Sequence, residues 1–267
     1  GFESHRRLQV FPVYDPVSAT KGYAMSKFRT RIRDVGRAIG GFGFAAIARQ
    51  ERPRYVLVVA EAATLAEASS AAGAGVDAIL FTGPLADLAE AVAAVKVPVG
   101  FRVPDATRVE AERAREAGAD FLLFDDALTH ASALTVKDLG HVLLLGADQD
   151  EQRLRSVAAI DLDAVLVEAD ADVITVREQI ELRRVALLCG APLLVRSIGT
   201  PDGAILEAWR DAGGPVVLVP AALAESTLEA ARLVPAPRKA PVGEGSAVLG
   251  APFAPKHDHD HDDEDDD

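Results

Sequence analysis

Eight short, mostly apolar runs recur along the middle of this 267-residue chain, and they constrain its fold more than any other feature. The runs are nearly continuous rather than alternating, which is typical of parallel strands that are covered on both faces. Stretches of helical length, rich in Ala, Glu and Arg, separate them. The predicted strands are residues 55–60, 78–82, 99–103, 121–124, 141–145, 164–167, 193–196 and 216–219.

Capping signals support helices between these strands. A Ser or Thr followed three residues later by Glu is a capping box, and this pattern predicts helix starts at Thr64, Thr107 and Ser226. Gly75 and Gly118 each end an Ala-rich helical stretch just before the next predicted strand. Their separation of 43 residues equals two strand–helix units and indicates an internal repeat.

Eight alternations in about 180 residues predict an α/β fold of one kind, a compact (β/α)8 or TIM barrel. An open, doubly wound sheet is the competing interpretation. Such a sheet would need a glycine-rich turn after its first strand if it bound NAD, and the turn at residues 60–64 contains no glycine. We therefore expect the closed barrel.

Charge divides the chain into three predicted parts. Residues 1–54 carry 11 basic and 4 acidic side chains and form a basic N-terminal extension. Residues 55–234 form the acidic barrel. Residues 235–267 combine a Pro/Gly-rich linker with an acidic tail of 8 carboxylates, and this part has too few large apolar residues to bury a core, so we expect it to be disordered.

A basic amphipathic helix is predicted over residues 26–39. Its apolar face is formed by Met25, Phe28, Ile32, Val35 and Ile39, at spacings of three and four. The favoured interpretation is that it covers the N-terminal end of the barrel, with its arginines facing the acidic body. Peripheral contact with an anionic membrane and binding of a partner protein are the alternatives. Nucleic acid is disfavoured, because the acidic body would repel phosphate.

Composition excludes several classes of protein. One cysteine rules out a disulfide scaffold and a zinc site built from cysteines. No apolar run reaches 18 residues, and the start shows no signal-peptide pattern, so we expect a cytoplasmic protein. No lysine follows a predicted strand, which leaves a Schiff-base mechanism without a nucleophile.

Polar side chains gather at the carboxyl ends of the predicted strands, where TIM barrels carry their chemistry. The candidate acid–base groups or Mg²⁺ ligands are Glu61, Asp125, Glu168 and His130. Arg102 and Arg196 are placed to orient a carboxylate or phosphate. The structural alternative is that these acids cap helices and that the two arginines simply pair with the carboxylates across the barrel.

The stretch 192–223 resembles the last two units of phosphate-binding (β/α)8 barrels, such as the ribulose-phosphate-binding and thiamine-phosphate-synthase-like families. Ser197, Gly199 and Thr200 resemble the first phosphate loop of those families, with Ile198 in place of a glycine. The second loop reads Pro-Ala-Ala from residue 220, where the families have Gly-Ser-Ala. The resemblance implies a divergent member with degraded phosphate loops.

Two functions stay open. The degraded loops, the absent lysine and the charged arms slightly favour a non-catalytic scaffold or interaction barrel that binds a protein partner. The alternative is a lyase-like or isomerase-like enzyme that acts on an anionic small molecule. No cofactor is predicted beyond Mg²⁺ at the strand ends and a loose Zn²⁺ or Ni²⁺ site in the tail at His257, His259 and His261.

Overall fold

A computed structural model describes residues 25–35, 54–170 and 173–237, and in it eight parallel strands close into a barrel in sequence order. The strands are Leu57–Ala62 (β1), Ala78–Phe81 (β2), Val99–Arg102 (β3), Phe121–Asp125 (β4), Gly140–Leu144 (β5), Ala164–Glu168 (β6), Leu193–Arg196 (β7) and Val216–Pro220 (β8). Each begins and ends within two residues of its predicted position. The predicted (β/α)8 barrel is therefore confirmed.

Helices cover the outside of this barrel, and one further helix precedes it. They are Lys27–Asp34 (α1), Leu65–Ala74 (α2), Leu85–Ala94 (α3), Arg108–Glu116 (α4), Glu151–Val157 (α5), Val176–Cys189 (α6), Gly203–Asp211 (α7) and Ala224–Leu233 (α8). The chain divides into two units, residues 1–236 and 237–267, and the first of them contains the barrel. The predicted tail site at His257, His259 and His261 lies outside the described residues.

The predicted helix starts have mixed outcomes. Capping boxes begin α2 at Thr64 and α4 at Thr107, as expected. The prediction at Ser226 is wrong, because α8 starts at Ala224 and Ser226 lies inside it, with its hydroxyl donating back to a main-chain carbonyl. A further capping box, not predicted from the sequence, begins α6 at Thr175.

The connection between β4 and β5 differs from the expected strand–helix unit. Only a 3-10 helix, Ala131–Thr135, lies there. The hydroxyls of Thr129 and Thr135 donate to the main-chain carbonyls of Pro104 and Ser132. The Thr135 bond is local, of the kind that competes with regular α-helix.

The barrel interior is a packed core rather than a channel. Strand side chains alternate in direction, and the inward-facing ones from all strands except β3 form one buried apolar cluster, with members such as Leu57, Val59, Leu123, Leu166 and Leu218. On β3 the inward position is Gly100, where a Cβ would overlap the ring of Phe121. The glycine therefore makes room for that ring.

Helix α1 lies at the N-terminal ends of the strands, as the favoured interpretation expected. Phe28 is fully buried there and stacks on Phe121 at a centroid distance of 4.4 Å. The main-chain amides of Lys27 and Phe28 donate to the Asp120 carboxylate at 2.9 and 2.8 Å. Ile32 is also buried in the barrel core. The predicted helix is shorter than expected, because α1 ends at Asp34 and Val35 is a non-helical C-cap; residues 36–39 lie outside the described residues.

Three aspartates, each just before an even-numbered strand, hold this end together. Asp77, Asp120 and Asp163 are spaced by 43 residues, so the repeat indicated by the two glycines extends to them. Asp163 accepts from Ser26 and pairs with Arg29 at 2.5 Å, while Asp77 pairs at 2.6 Å with an arginine that precedes β1. Burial raises the pKa of the Asp77 and Asp163 carboxyls.

Candidate functional site

Four of the predicted site residues meet at the mouth of the barrel, the end where the carboxyl ends of the strands lie. Glu61 follows Val59 by two residues on β1 and so continues the inward-facing row. Two nitrogens of the Arg196 guanidinium donate to the Glu61 carboxylate: Nη2 lies 2.8 Å and Nε 3.1 Å from Oε2 of Glu61. Charge-assisted, forked pairs of this kind are the strongest that arginine makes.

Glu168 and Arg102 complete this group, which we call the mouth cluster: Glu61, Arg102, Glu168 and Arg196. Nη1 of Arg196 donates to Glu168 at 3.3 Å, so all three guanidinium nitrogens face carboxylates of the chain itself. Arg102 is less tightly held, since its Nη1 lies 3.9 Å from Glu61 and its side chain is 39% exposed. Two acids and two arginines leave the cluster formally neutral.

The other two candidate acid–base residues have different surroundings. Asp125 ends β4, and its carboxylate accepts the main-chain amide of Ala127 at 2.8 Å, which closes a local turn. His130 precedes the 3-10 helix, and its own amide donates to the carbonyl of Ala106. In the described part of the chain, no hydrogen bond or salt bridge links either side chain to the mouth cluster.

The loop after β7 uses its polar groups internally. The Ser197 side chain is almost completely buried, its hydroxyl donates to the carbonyl of Gly199 at 3.1 Å, and its amide donates to the carbonyl of Leu218 at 2.9 Å. Thr200 is exposed and does not begin a helix, because α7 is capped two residues later by Asp202. Ile198, where the phosphate-binding families have glycine, projects into solvent with 85% of its surface exposed.

The loop after β8 begins with a residue that has no amide proton. Strand β8 runs on to Pro220, which pairs in register with Glu61 of β1. A 3-10 turn, Ala221–Leu223, follows at once. Proline has no N–H to offer a phosphate, so this loop presents fewer main-chain donors than a glycine-containing loop of the same length.

Metal-ligating side chains do not cluster in the described segments. Within residues 25–35, 54–170 and 173–237, no group of three His, Cys, Asp or Glu side chains is placed to hold a metal ion. The mouth cluster offers carboxylate oxygens, the ligand type that Mg²⁺ prefers, but the arginines engage them. The predicted Mg²⁺ site therefore remains an expectation.

Two surface cavities stand out in the described part of the chain, and neither is lined by the mouth cluster as a whole. One is a shallow, open depression along α5, lined by Glu151, Gln152, Arg155 and Ser156. The other, of about 270 Å³, lies beneath α6, with Leu182, Val185 and Trp209 among its apolar lining residues and Glu168 at its edge. No sequence pattern indicated this second cavity, because its walls come from elements far apart in the chain.

Comparison with known proteins identifies no family for this chain. No model of a known protein family matches the sequence. No curated protein matches it either. Among solved structures, the chain is similar to the dihydropteroate synthase of Yersinia pestis, with 14% identity and a TM-score of 0.48 over 66% of this chain and 90% of that one.

None of the described helices is long and apolar enough to cross a membrane.

Proposed function

We propose that this chain is a non-catalytic barrel that serves as a scaffold or interaction module. The observation that carries the proposal is the forked pair between Arg196 and Glu61 at the place where a TIM-barrel enzyme would hold its substrate. An anionic substrate would have to displace a carboxylate that already satisfies the arginine. The barrel thus gives a rigid support, and binding takes place on its outer surface.

The two loops after β7 and β8 support the same proposal. Phosphate-binding barrels hold the anion with main-chain amides of these loops. Here the amide of Ser197 is bonded to Leu218, and Pro220 has no amide proton. The Arg196 guanidinium and the Ser197 amide are therefore already hydrogen-bonded, and the amide donor at residue 220 is absent. Few donors remain at this side of the mouth to bind an added anion.

Thermal-shift measurements on the full chain test this proposal. The probes are inorganic phosphate, ribose 5-phosphate, flavin mononucleotide and Mg²⁺. A ligand present at ten times its Kd stabilises a folded protein by about 1.4 kcal/mol, or roughly 3–5 °C for a domain of this size. We expect no such rise for the wild type. The double variant Glu61→Gln, Glu168→Gln frees Arg196 and should gain stabilisation by phosphate.

A surface variant controls for the change in net charge. The double variant Glu90→Gln, Glu229→Gln removes two exposed carboxylates from α3 and α8 without breaking an ion pair of the described residues, and it should respond to phosphate as the wild type does. A rise in the wild-type midpoint with any probe, abolished by Arg196→Met, would overturn the proposal and favour an anion-binding barrel.

Arg102 favours a second candidate, the lyase-like or isomerase-like enzyme acting on an anionic metabolite. Its guanidinium lies 3.9 Å from Glu61, its side chain is 39% exposed, and it forms no side-chain hydrogen bond within the described residues. In that enzyme Arg102 would orient the anion, and Glu61 or Glu168 would move the proton. Stabilisation of the wild type by a probe that is lost in Arg102→Met but kept in Arg115→Met would support this candidate.

A further inference from the structure

Helix α6 carries apolar side chains on two opposite faces. One face is the expected one: Leu182, Val185 and Cys189 lie against the barrel. The other face contains Val176 and Ile180, where an amphipathic helix on the surface of a monomeric barrel would have polar residues. Contiguous exposed apolar residues on the outer side of a surface helix are a common feature of interaction surfaces.

The outward apolar residues form a line. Val176, Ile180 and Leu187 fall within about 40° of one another at about 100° per residue, and they span about 16 Å along the helix. Their exposed fractions are 73%, 60% and 67%. Val185, on the opposite side of the helix, is 2% exposed. We call Val176, Ile180 and Leu187 the outer stripe of α6.

Arginines border this stripe and have no partner among the described residues. Arg183 lies on the same side of the helix, between Ile180 and Leu187, and Arg177 lies at the N-terminal end. Neither forms a salt bridge or hydrogen bond within the described segments. By contrast, Arg184 on the flank is tied to Glu181 at 2.8 Å and to a main-chain carbonyl at 3.1 Å.

The charge of the stripe is opposite to that of the whole chain. The chain has a formal net charge of −13, yet the outer stripe is bordered by two cations that are unpaired within the described segments. An occupant that matches both the apolar stripe and the bordering arginines has apolar side chains and carboxylates on one face. An anionic membrane supplies the same charge, but as an extended plane it would face the acidic body as well as the stripe, whereas a single helix covers the stripe alone.

A second copy of this chain is a poor occupant. In an antiparallel pair of α6 helices, Arg183 of each copy would approach Ile180 and Arg183 of the other without a carboxylate on that face. The other exposed large apolar residues of the described segments lie on different elements or loops: Met25, Val109, Leu128, Ile160, Val173, Ile198 and Leu233. None of them forms an acidic apolar row that would complement the stripe.

We propose that the outer stripe of α6 is a docking surface for an amphipathic helix of a partner protein whose apolar row is interrupted by carboxylates. The inference rests on the proposed interaction function and names its surface and the chemistry of its partner. Val176, Ile180 and Leu187 bury the apolar row, and Arg183 pairs with a carboxylate in its centre. The apolar contacts supply affinity, and the central ion pair fixes register and orientation.

Fluorescence anisotropy with two synthetic helical peptides tests this inference on the full chain. Both peptides carry leucines at helical spacing, one with glutamates and the other with lysines beside them. We expect the glutamate peptide to bind at least about tenfold more tightly than the lysine peptide. Ile180→Asp and Leu187→Asp should each weaken its binding by about tenfold, the usual effect of losing an interface anchor.

Two variants make the result specific. Val109→Asp places the same charge on α4, at a residue that is 55% exposed, and should leave binding unchanged. Arg183→Glu should reverse the preference, so that the lysine peptide binds more tightly. Because all these positions are exposed or half-exposed, the urea midpoints of the variants should match that of the wild type.

Four outcomes would overturn the inference. Equal binding of the two peptides, or equal binding by Ile180→Asp and Val109→Asp, would show that the stripe does not recognise an acidic helix. Sedimentation of the wild type as a dimer that Ile180→Asp dissociates would assign the stripe to a second copy. Binding to phosphatidylserine vesicles that Ile180→Asp abolishes would assign it to a membrane. None of these results depends on Arg196, so the mouth proposal stands or fails separately.

Discussion

Arg196 and Glu61, 135 residues apart in the sequence, form a forked ion pair across the mouth of the barrel, with Nη2 2.8 Å from Oε2. The Glu61 side chain is only 16% exposed and that of Arg196 28%. The pair joins β7 to β1, two strands that are separated in the barrel only by β8. It engages the arginine that the sequence predicts to bind an anion.

Removing one member of this pair should destabilise the barrel. Glu61→Ala leaves a half-buried guanidinium without its main partner, and we expect a loss of about 1–3 kcal/mol in the free energy of unfolding, measured by urea titration. Glu168→Gln, at a side chain that is 71% exposed, should cost under about 0.5 kcal/mol. Equal losses in the two variants would contradict the assigned role of the forked pair.

Truncating the aromatic anchor of α1 should be more costly. Phe28 is fully buried against Phe121, and Phe28→Ala removes a ring from the barrel core, which typically costs about 3–5 kcal/mol. Met25→Ala, just before the same helix at a residue that is 44% exposed, serves as the control and should change stability by under about 0.5 kcal/mol. If Phe28→Ala were as mild as Met25→Ala in urea titration, α1 would not be part of the folded core.

A methyl group added at Gly140 should disturb the same end of the barrel. A Cβ there would overlap an Asp163 carboxylate oxygen and lie 2.9 Å from the Cβ of Ser26. Gly140→Ala should therefore cost about 1–3 kcal/mol through overpacking. Gly146, two residues after β5, has open space where its Cβ would be, and Gly146→Ala should be neutral or slightly stabilising. Thermal midpoints of the two alanine variants check this contrast.

Stability should fall between pH 6.5 and pH 4 because of His141. Burial lowers the pKa of this side chain from 6.5 to about 4, and its Nε2 has no hydrogen-bond partner among the described residues. Below pH 6.5 the unfolded chain takes up a proton that the folded chain still excludes. Protonation therefore stabilises the unfolded state relative to the folded state. The free energy of unfolding falls by up to about 3 kcal/mol between pH 6.5 and pH 4, at about 1.4 kcal/mol per pKa unit.

Comparison with His141→Phe isolates this effect. The raised pKa values of Asp77 and Asp163 act in the opposite direction, because the folded chain then binds protons at a pH where the unfolded carboxyls are still ionised. Their contributions are common to both proteins and cancel in the difference. Urea titrations from pH 7 to pH 4 should show a shallower loss for His141→Phe, and parallel curves would show that His141 is not the cause.

The sequence by itself determined the eight parallel strands and most of the helices between them. Continuous apolar runs are typical of parallel strands that are covered on both faces, and capping boxes such as those at Thr64 and Thr107 are recognised within four residues. An open parallel sheet shares these patterns, so the tertiary structure decided that the ring closes. The positions of Glu61 and Arg196 at the carboxyl ends of two predicted strands likewise placed them at one end of the barrel. The tertiary structure alone decided that these two side chains pair with each other, because their separation and geometry depend on how the ring closes. It also decided which side of α6 faces solvent: apolar residues on both faces leave the pattern ambiguous until the barrel covers one of them.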